Sequence, residues 1–476
     1  MKTPILGASY TARSINAANN RMINLYPEVV LEGGKEAGFL TRCPCTVEIT
    51  SIGDGPIRGM RAFGGVGYIV SGSELYSVTE GFVATFLGNV SGTGPVSMSD
   101  NGTQLFIACN PDSYIYNSST AVFQKITDPD FPGAVTVGYL DGYFVFNEPD
   151  TQKVWVTSLY DGTSVDPLDF ASAEGSPDNL VAVAIDHREA WLFGETTTEV
   201  WYNAGLVDFP LSRIQGAFVE IGCVAPYSIA KLDNTLFWLG KDERGSGIVY
   251  RANGYSPQRI STHAIEYALQ GYSTIKDAIS FSYQQEGHSF YVIVFPTAEK
   301  TWAFDVSTGQ WHERAMFTQG VFTRHRANAQ MNFSEKVVIG DYSTGVIYYL
   351  DLNSYEDSTG EQKWLRSWRA LGPGQNNLQR AAHHSLQIDC ETGVGLNTGQ
   401  GSDPVMFLRW SDDGGHNWSN VQELKLGKIG ETSARAIKRR LGTTEKLRDR
   451  VYEISGTDPV KISIMGAELM GGPKGS

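Results

Sequence analysis

Gly94-Pro95-Val96-Ser97-Met98, Ser99-Asp100-Asn101-Gly102, Gln104-Leu105-Phe106-Ile107-Ala108 and Tyr114-Ile115-Tyr116 follow one another within 23 residues. The first and third runs are short and apolar. The Asp-Asn-Gly between them is turn chemistry, and the last run ends in aromatics, so the stretch reads as strand, turn, strand, strand. The same unit recurs on both sides. Upstream lie Gly67-Tyr68-Ile69-Val70 and Glu74-Leu75-Tyr76-Ser77-Val78. Downstream come Tyr143-Phe144-Val145-Phe146 with Val154-Trp155-Val156, and Ala190-Trp191-Leu192-Phe193 with Val200-Trp201-Tyr202. Leu236-Phe237-Trp238-Leu239, Phe290-Tyr291-Val292-Ile293 and Gly345-Val346-Ile347-Tyr348-Tyr349-Leu350 continue the series.

Equivalent points return every ~40–50 residues, the spacing of propeller blades. The cause is burial: one small twisted sheet cannot cover both its faces, whereas sheets stacked radially cover each other. Repeats of ~20–30 residues would be expected of a solenoid, which ranks lower. The chain reads as all-β, with a β-propeller of six or seven blades over residues 55–352. The N-terminal segment or a late strand completes a split blade.

Outside the repeats the rhythm changes. Residues 1–54 read as an extended arm, with Asn16, Asn19, Asn20 and Asn24 scattered among small and apolar residues. Residues 353–365, with Asn353-Ser354-Tyr355-Glu356-Asp357-Ser358-Thr359-Gly360, read as a linker. From there to residue 476, short strands such as Ser385-Leu386-Gln387-Ile388, Val405-Met406-Phe407-Leu408 and Lys461-Ile462-Ser463-Ile464 suggest a compact antiparallel β-sandwich.

The composition agrees. Among 476 residues stand 52 glycines, 22 tyrosines, 22 phenylalanines and 10 tryptophans, which favours strands and turns. Net charge is −14 and unevenly spread. Residues 366–476 hold 15 Lys+Arg and 12 Asp+Glu, net +3, so residues 1–365 hold 23 and 40, net −17. An acidic body argues against wrapping nucleic acid, which needs clustered cations. It is compatible with DNA that must slide past without sticking. No stretch approaches the ~18–20 apolar residues of a membrane span, and the first residues lack a signal-peptide core. Five cysteines, an odd and low number, do not make a disulfide framework. Cys43-Pro44-Cys45 has no second ligand pair nearby and is not a zinc site.

Trp410-Ser411-Asp412-Asp413-Gly414-Gly415-His416-Asn417-Trp418 carries the Ser-x-Asp-x-Gly-x-x-Trp spacing of the Asp box found in sialidases and other propellers. Its physics is a turn staple: Ser411 and Asp413 bind hairpin amides, Gly415 supplies positive φ and Trp418 packs beneath. A sialidase would carry several such boxes, and there is one. His383-His384 on a strand would point to opposite faces, so they read as polar surface or interface residues and not as a metal pair. Ala434–Arg440 followed by Leu447-Arg448-Asp449-Arg450 is the one basic cluster. Extended, it places Arg435, Ile437 and Arg439 on one face and Ala436, Lys438 and Arg440 on the other. It reads as an edge strand guarded by charge or as a contact with an acidic partner or phosphates. No phosphate loop, nucleophile elbow or His-Glu-x-x-His pattern occurs, so no catalytic residue, cofactor or metal is assigned.

Three blocks together carry a family resemblance: Gly7-Ala8-Ser9-Tyr10-Thr11-Ala12-Arg13 with Arg21-Met22-Ile23-Asn24-Leu25-Tyr26-Pro27; the propeller-like units; and Glu391-Thr392-Gly393-Val394-Gly395 with Arg409–Gly415, Lys428-Ile429-Gly430-Glu431 and Arg450-Val451-Tyr452-Glu453. The chain resembles the packaged-DNA stabilisation, or tail hub and nozzle, proteins of short-tailed bacteriophages. The resemblance implies a structural virion protein, made in the host bacterial cytoplasm and not an enzyme. It implies a homohexameric ring below the portal and its adaptor ring, extending the DNA channel, retaining packaged genome and docking a needle or tailspikes. Cys43-Pro44-Cys45 departs from that pattern, where a threonine-proline-glycine-like turn is more usual. The competing expectations are a carbohydrate-binding or glycosidase-like propeller, suggested by the Asp box and the aromatics, and another tail component such as a receptor-binding fibre.

Overall fold

The computed structural model describes residues 1–30, 32–173, 175–207, 209–243, 245–372, 380–444 and 450–474. Among the described residues seven antiparallel sheets follow one another along the chain. Blade one is Ile57–Phe63, Val66–Ser71, Glu74–Val78 and Ala84–Asn89. Blade two is Ser97–Asp100, Gln104–Ala108, Ser113–Asn117 and Val122–Lys125. Blades three and four begin at Val137–Leu140 and Leu180–Asp186 and keep the same four-strand order. In blade five the innermost position is shared by Gly222–Cys223 and Ala230–Leu232, with a 3-10 turn at Pro226–Ser228 between them. Blade six runs from Ile279–Gln285 to Gln310–Glu313. Blade seven has three strands from Ala327–Phe333, Lys336–Asp341 and Val346–Asp351, and its outer strand is Cys45–Ser51 from near the N-terminus. The split blade expected from sequence is completed by the N-terminal segment.

The innermost strands meet in a closed ring, and the strand of blade seven touches that of blade one. Apolar clusters fill each blade-to-blade gap. Ile57, Ile69, Val338 and Ile347 sit between blades seven and one, and Val145, Val154, Leu192 and Trp201 between blades three and four. Between neighbouring inner strands there is little room for side chains. A β-carbon on Gly59 would overlap Val96 of blade two, and one on Gly138 would overlap Ile185 of blade four. Glycine there allows neighbouring backbones to approach.

The sandwich draws on three parts of the chain. One sheet has the order Ala436–Arg439, Ala381–Cys390, Ser463–Pro473, Gly38–Arg42, Leu25–Val29, with Lys2–Thr3 also on Ser463–Pro473. The other runs Met22–Ile23, Trp364–Arg369, Val451–Gly456, Val405–Ser411, Gln422–Lys425. Trp364, Trp368, Leu386, Leu408, Tyr452 and Ile464 form the core between them, each at most 1% exposed. Met22–Ile23 also touches the outer strand of blade six, where Ile23 pairs in parallel with Glu313. Blade six and this second sheet are therefore one nine-stranded sheet.

Buried and half-buried polar side chains tie the N-terminal residues into both domains. Arg366 donates through Nε to Ile5 O at 2.7 Å and through Nη1 to Ala8 O at 3.2 Å, and burial pushes its pKa down to about 9. Arg42 donates to Gln362 O, Asp458 O and Val460 O at 2.8–3.1 Å. Arg21 grips Glu313 with two bonds, 3.1 and 2.8 Å. Asn24, at φ 53°, donates to Ala315 O and Lys363 O and accepts from Ala315 N. Each buried polar group of this set is thus satisfied, mostly by backbone carbonyls.

Candidate assembly surfaces

The Trp410–Ser419 hairpin follows the strand Val405–Ser411 at the end of the second sandwich sheet. Ser411 Oγ donates to Asp413 Oδ1 at 2.6 Å and accepts from Gly415 N at 2.8 Å. Asp413 accepts from Asn417 N at 2.9 Å and from Asn417 Nδ2 at 2.6 Å. The Asn417 N–H and the Ser411 hydroxyl hold the Asp413 carboxyl well below the usual carboxylate range. Gly414 and Gly415 have φ of 78° and 109°, and a β-carbon on either would overlap Asn16 or Asn19 of the N-terminal segment. Asn19 Nδ2 donates to Gly414 O at 3.1 Å. The Trp418 ring lies under the Arg409 guanidinium, 4.5 Å away, and Arg409 donates to Glu453 at 2.5 Å. Beside it Asp412 takes a bidentate pair from Arg450, at 2.6 and 2.8 Å. The polar groups of the hairpin are turned onto its own backbone and its neighbours, which is the chemistry of a fixed turn.

The basic stretch lies apart from this hairpin's staple. Ala436–Arg439 is the edge of the first sandwich sheet and pairs only with Ala381–Cys390 among the described residues. Ala436 is buried in the core, Ile437 and Lys438 are half-buried, and Arg435, Arg439 and Arg440 are exposed. Arg435 donates to Gln387 at 2.5 Å. Arg440 turns the chain away at φ 61°. Of the continuation, Leu447, Arg448 and Asp449 lie outside the described residues, and Arg450 is 2% exposed, committed to Asp412 and to Leu441 O.

The adjacent histidines do separate, but not onto a polar surface. His384 is exposed, whereas His383 is 2% exposed and shares a 2.7 Å hydrogen bond between Nδ1 and the Tyr452 hydroxyl. Burial and the nearby Arg450 push its pKa down to about 4. The strand faces the sandwich core at that point, so a residue that reads as surface is a core histidine. Cys43 and Cys45 are both buried. Cys43 lies next to Arg314, and burial raises its pKa to about 11, so it is an inert thiol.

A second buried cluster, on three histidines, was not visible in sequence. His312 is fully buried beside Arg314, and Arg314 Nε donates to His312 Nε2 at 3.2 Å. Arg314 also donates to the Tyr283 hydroxyl and lies over the Phe290 ring. His288 and Asp305 share a 2.8 Å contact that raises the His288 pKa. His312 is pushed well below its ordinary value by burial and then by Arg314, and His325 down to about 3 by burial and by Arg314 and Arg326. Tyr26 packs against the His288 and His312 rings, 5.0 and 6.0 Å between centroids, so the cluster joins residues far apart in the chain and their spacing gives no signal.

The propeller's own axis is a cavity of about 360 Å³, reached by residues of all seven innermost strands, including Arg58, Ser97, Thr136, Val183, Ser280 and Asn328. Arg58 is turned aside, donating to the carbonyls of Gly94, Gly72 and Ser91 at 2.6–2.9 Å. At ~30 Å³ per water such a space takes roughly a dozen waters. Among the described residues no group of three or more His, Cys, Asp or Glu is gathered as metal ligands, and no helix is long and apolar enough to cross a membrane.

A closed seven-bladed propeller joined to a sandwich through one nine-stranded sheet makes an all-β protein. The chain belongs to the phage packaged-DNA stabilisation family: the family model for the bacteriophage P22 Gp10 β-propeller matches residues 1–355, and that for the P22 Gp10 β-sandwich matches residues 364–471. It is accordingly a phage structural protein. No curated protein matches it in sequence. Among solved structures it is similar to the N-terminal domain of Nup159, at 9% identity over 68% of this chain and 98% of that one, TM-score 0.42. It is also similar to the Myceliophteria thermophila Cps50 (Swd1) β-propeller domain, at 8% identity over 64% and 98%, TM-score 0.42.

Proposed function

We propose that this protein is a tail hub subunit that assembles as a homohexameric ring below the portal and adaptor, lengthens the DNA channel and holds packaged genome until ejection. The observation that carries the reading is family membership over nearly the whole chain, in both domains. Three physical features support it. The nine-stranded sheet makes propeller and sandwich one stiff block, as a ring under load requires. The axial cavity of about 360 Å³ is too small for a duplex, so DNA passes through a hole between subunits and not through a propeller. The acidic 1–365 segment repels phosphate, so a channel wall drawn from it lets the genome slide. The neighbours are the portal and adaptor proteins on one side and a needle or tailspikes on the other. Synthesis is in the host cytoplasm and the final place is the virion tail.

Electron microscopy of the full chain, alone at high concentration and with a portal–adaptor assembly, tests the proposal. Six-fold rings with a duplex-sized hole are expected. Monomers under both conditions would overturn it.

A further inference from the structure

A propeller leaves one outer strand per blade with an unpaired edge, and natural sheets guard such edges with charge, proline, brevity or a covering segment. Six of the seven outer strands here are guarded. Val122–Lys125 carries Lys125, Phe170–Ser172 is three residues long, and Leu211–Val219 carries Arg213. Ser256–Arg259 carries Pro257 and Arg259, Cys45–Ser51 carries Glu48, and Gln310–Glu313 is covered by Met22–Ile23. The exception is blade one. Its outer strand Ala84–Asn89 has no charge and no proline, and Ala84, Thr85, Phe86 and Asn89 are exposed. Val83 before it is 65% exposed and Phe86 50%. Among the described residues it pairs only with Glu74–Val78.

The stretch of chain that carries this edge has one sign. Residues 62–124 contain no Lys or Arg and four carboxylates, Glu74, Glu80, Asp100 and Asp112. Asp100 and Asp112 are engaged by Arg61 and Lys125 on blades one and two. Glu74 and Glu80 flank the bare edge, and Lys336 of blade seven is held over the Phe82 and Tyr349 rings. The complement is on the same molecule. Residues 434–440 hold four cations, Arg435, Lys438, Arg439 and Arg440, and no carboxylate, on the strand Ala436–Arg439, which among the described residues pairs only with Ala381–Cys390. Like charges keep two such basic edges apart, and flanking carboxylates disfavour pairing two blade-one edges. A neutral edge between carboxylates and a basic edge on a second copy attract and can share main-chain hydrogen bonds.

We infer that the subunits join by edge pairing: Ala84–Asn89 of blade one in one copy pairs with Ala436–Arg439 of the sandwich in the next. The contact is head-to-tail, so repeated copies close into a ring when the rotation permits and do not stop at a dimer. This rests on the ring reading above and adds which two strands make the seam.

The test uses the full chain, alone and on the portal–adaptor assembly, with ring formation read by electron microscopy and mass by light scattering. Thr85→Lys places a guarding charge on an exposed position of the bare edge. Arg439→Glu with Arg440→Glu reverses the other edge. Each is expected to abolish rings while leaving the monomer's melting temperature unchanged, and the combination is expected to restore them. Phe86→Cys with Lys438→Cys in one chain is expected to give a ladder of disulfide-linked oligomers, with neither single variant doing so. Rings that survive Thr85→Lys, or dimers linked through Phe86→Cys alone, would overturn the seam and leave the ring reading standing. Wild-type protein that never forms rings on the portal–adaptor assembly would overturn both.

Discussion

The propeller and the sandwich are both antiparallel β-structure, yet they are assembled from sequence in opposite ways. Within a blade, partners are neighbours in the chain: Tyr76 faces Phe86, and Ile107 faces Tyr114. In the sandwich, Lys2 faces Glu468 and Leu40 faces Ile464. The propeller follows the sandwich's pattern at one place, where Cys45–Ser51 closes blade seven on Val346–Asp351. The difference teaches that local repeats build the wheel, while contacts of the longest sequence separation lock it. Closing such contacts costs loop entropy before burial compensates for it, so they form late and are the vulnerable ones.

Deleting residues 1–51 tests this most severely. It removes four strands of the sandwich sheets and the outer strand of blade seven. The expected result is loss of soluble folded protein, read by expression and circular dichroism. A truncated chain that folds would show the locking contacts to be dispensable.

Arg42→Ala is next. It strips partners from three carbonyls, two buried and one half-buried, contributed by residues 362, 460 and 458. A loss of about 3–5 kcal/mol is expected in urea unfolding, because a buried carbonyl left without a donor costs about 1–3 kcal/mol and several are stripped at once. An effect below about 1 kcal/mol would mean water replaces the guanidinium.

Acid should weaken the lock as well. His312, His325 and His383 are kept neutral in the fold, the last two at about 3 and 4. A base whose folded pKa lies below its unfolded value near 6.5 gives stability that is present above the unfolded value and lost progressively as pH falls from there to the folded value. His288, raised by Asp305, acts in the opposite sense: its contribution is present below pH ~6.5 and is lost at higher pH. Three histidines against one give a falling melting temperature from pH 7.5 to 5. Each neutral histidine contributes up to ~1.4 kcal/mol per pH unit in that window. His312→Gln should flatten the slope by about one proton, and an unchanged slope would remove the histidine cluster as its cause.

The smallest effect is expected at the hairpin. Ser411→Ala removes a donor to Asp413 and the acceptor for Gly415 N, so a loss of about 1–2 kcal/mol is expected by thermal unfolding. No measurable change would show that the Asn417 contacts alone hold the turn.

The sequence reveals the wheel more readily than its lock, for the same physical reason. Strand pairs such as Gln104–Ala108 with Ser113–Asn117 announce themselves through short apolar and aromatic runs with a turn between them, so blade spacing and fold class could be read directly. The strands of the arm could not. Met22–Ile23 and Lys2–Thr3 are two residues each, and their partners lie hundreds of residues away, where no local pattern reports them. His383 reads as polar because its partner, Tyr452, comes 69 residues later. The turn chemistry of Ser411 to Trp418 is visible because every group involved is local. The bare edge of Ala84–Asn89 is visible only once its six guarded counterparts are known to occupy the same position in their blades.

The parallel pair of Ile23 and Glu313 has a mechanical consequence. Because it joins blade six to the sandwich in one hydrogen-bonded sheet, and Arg21 clamps the same glutamate, the two domains have no hinge between them at this seam. A load on either domain is then carried along a strand ladder into the other, and the chain answers as one block and not as two beads on a string.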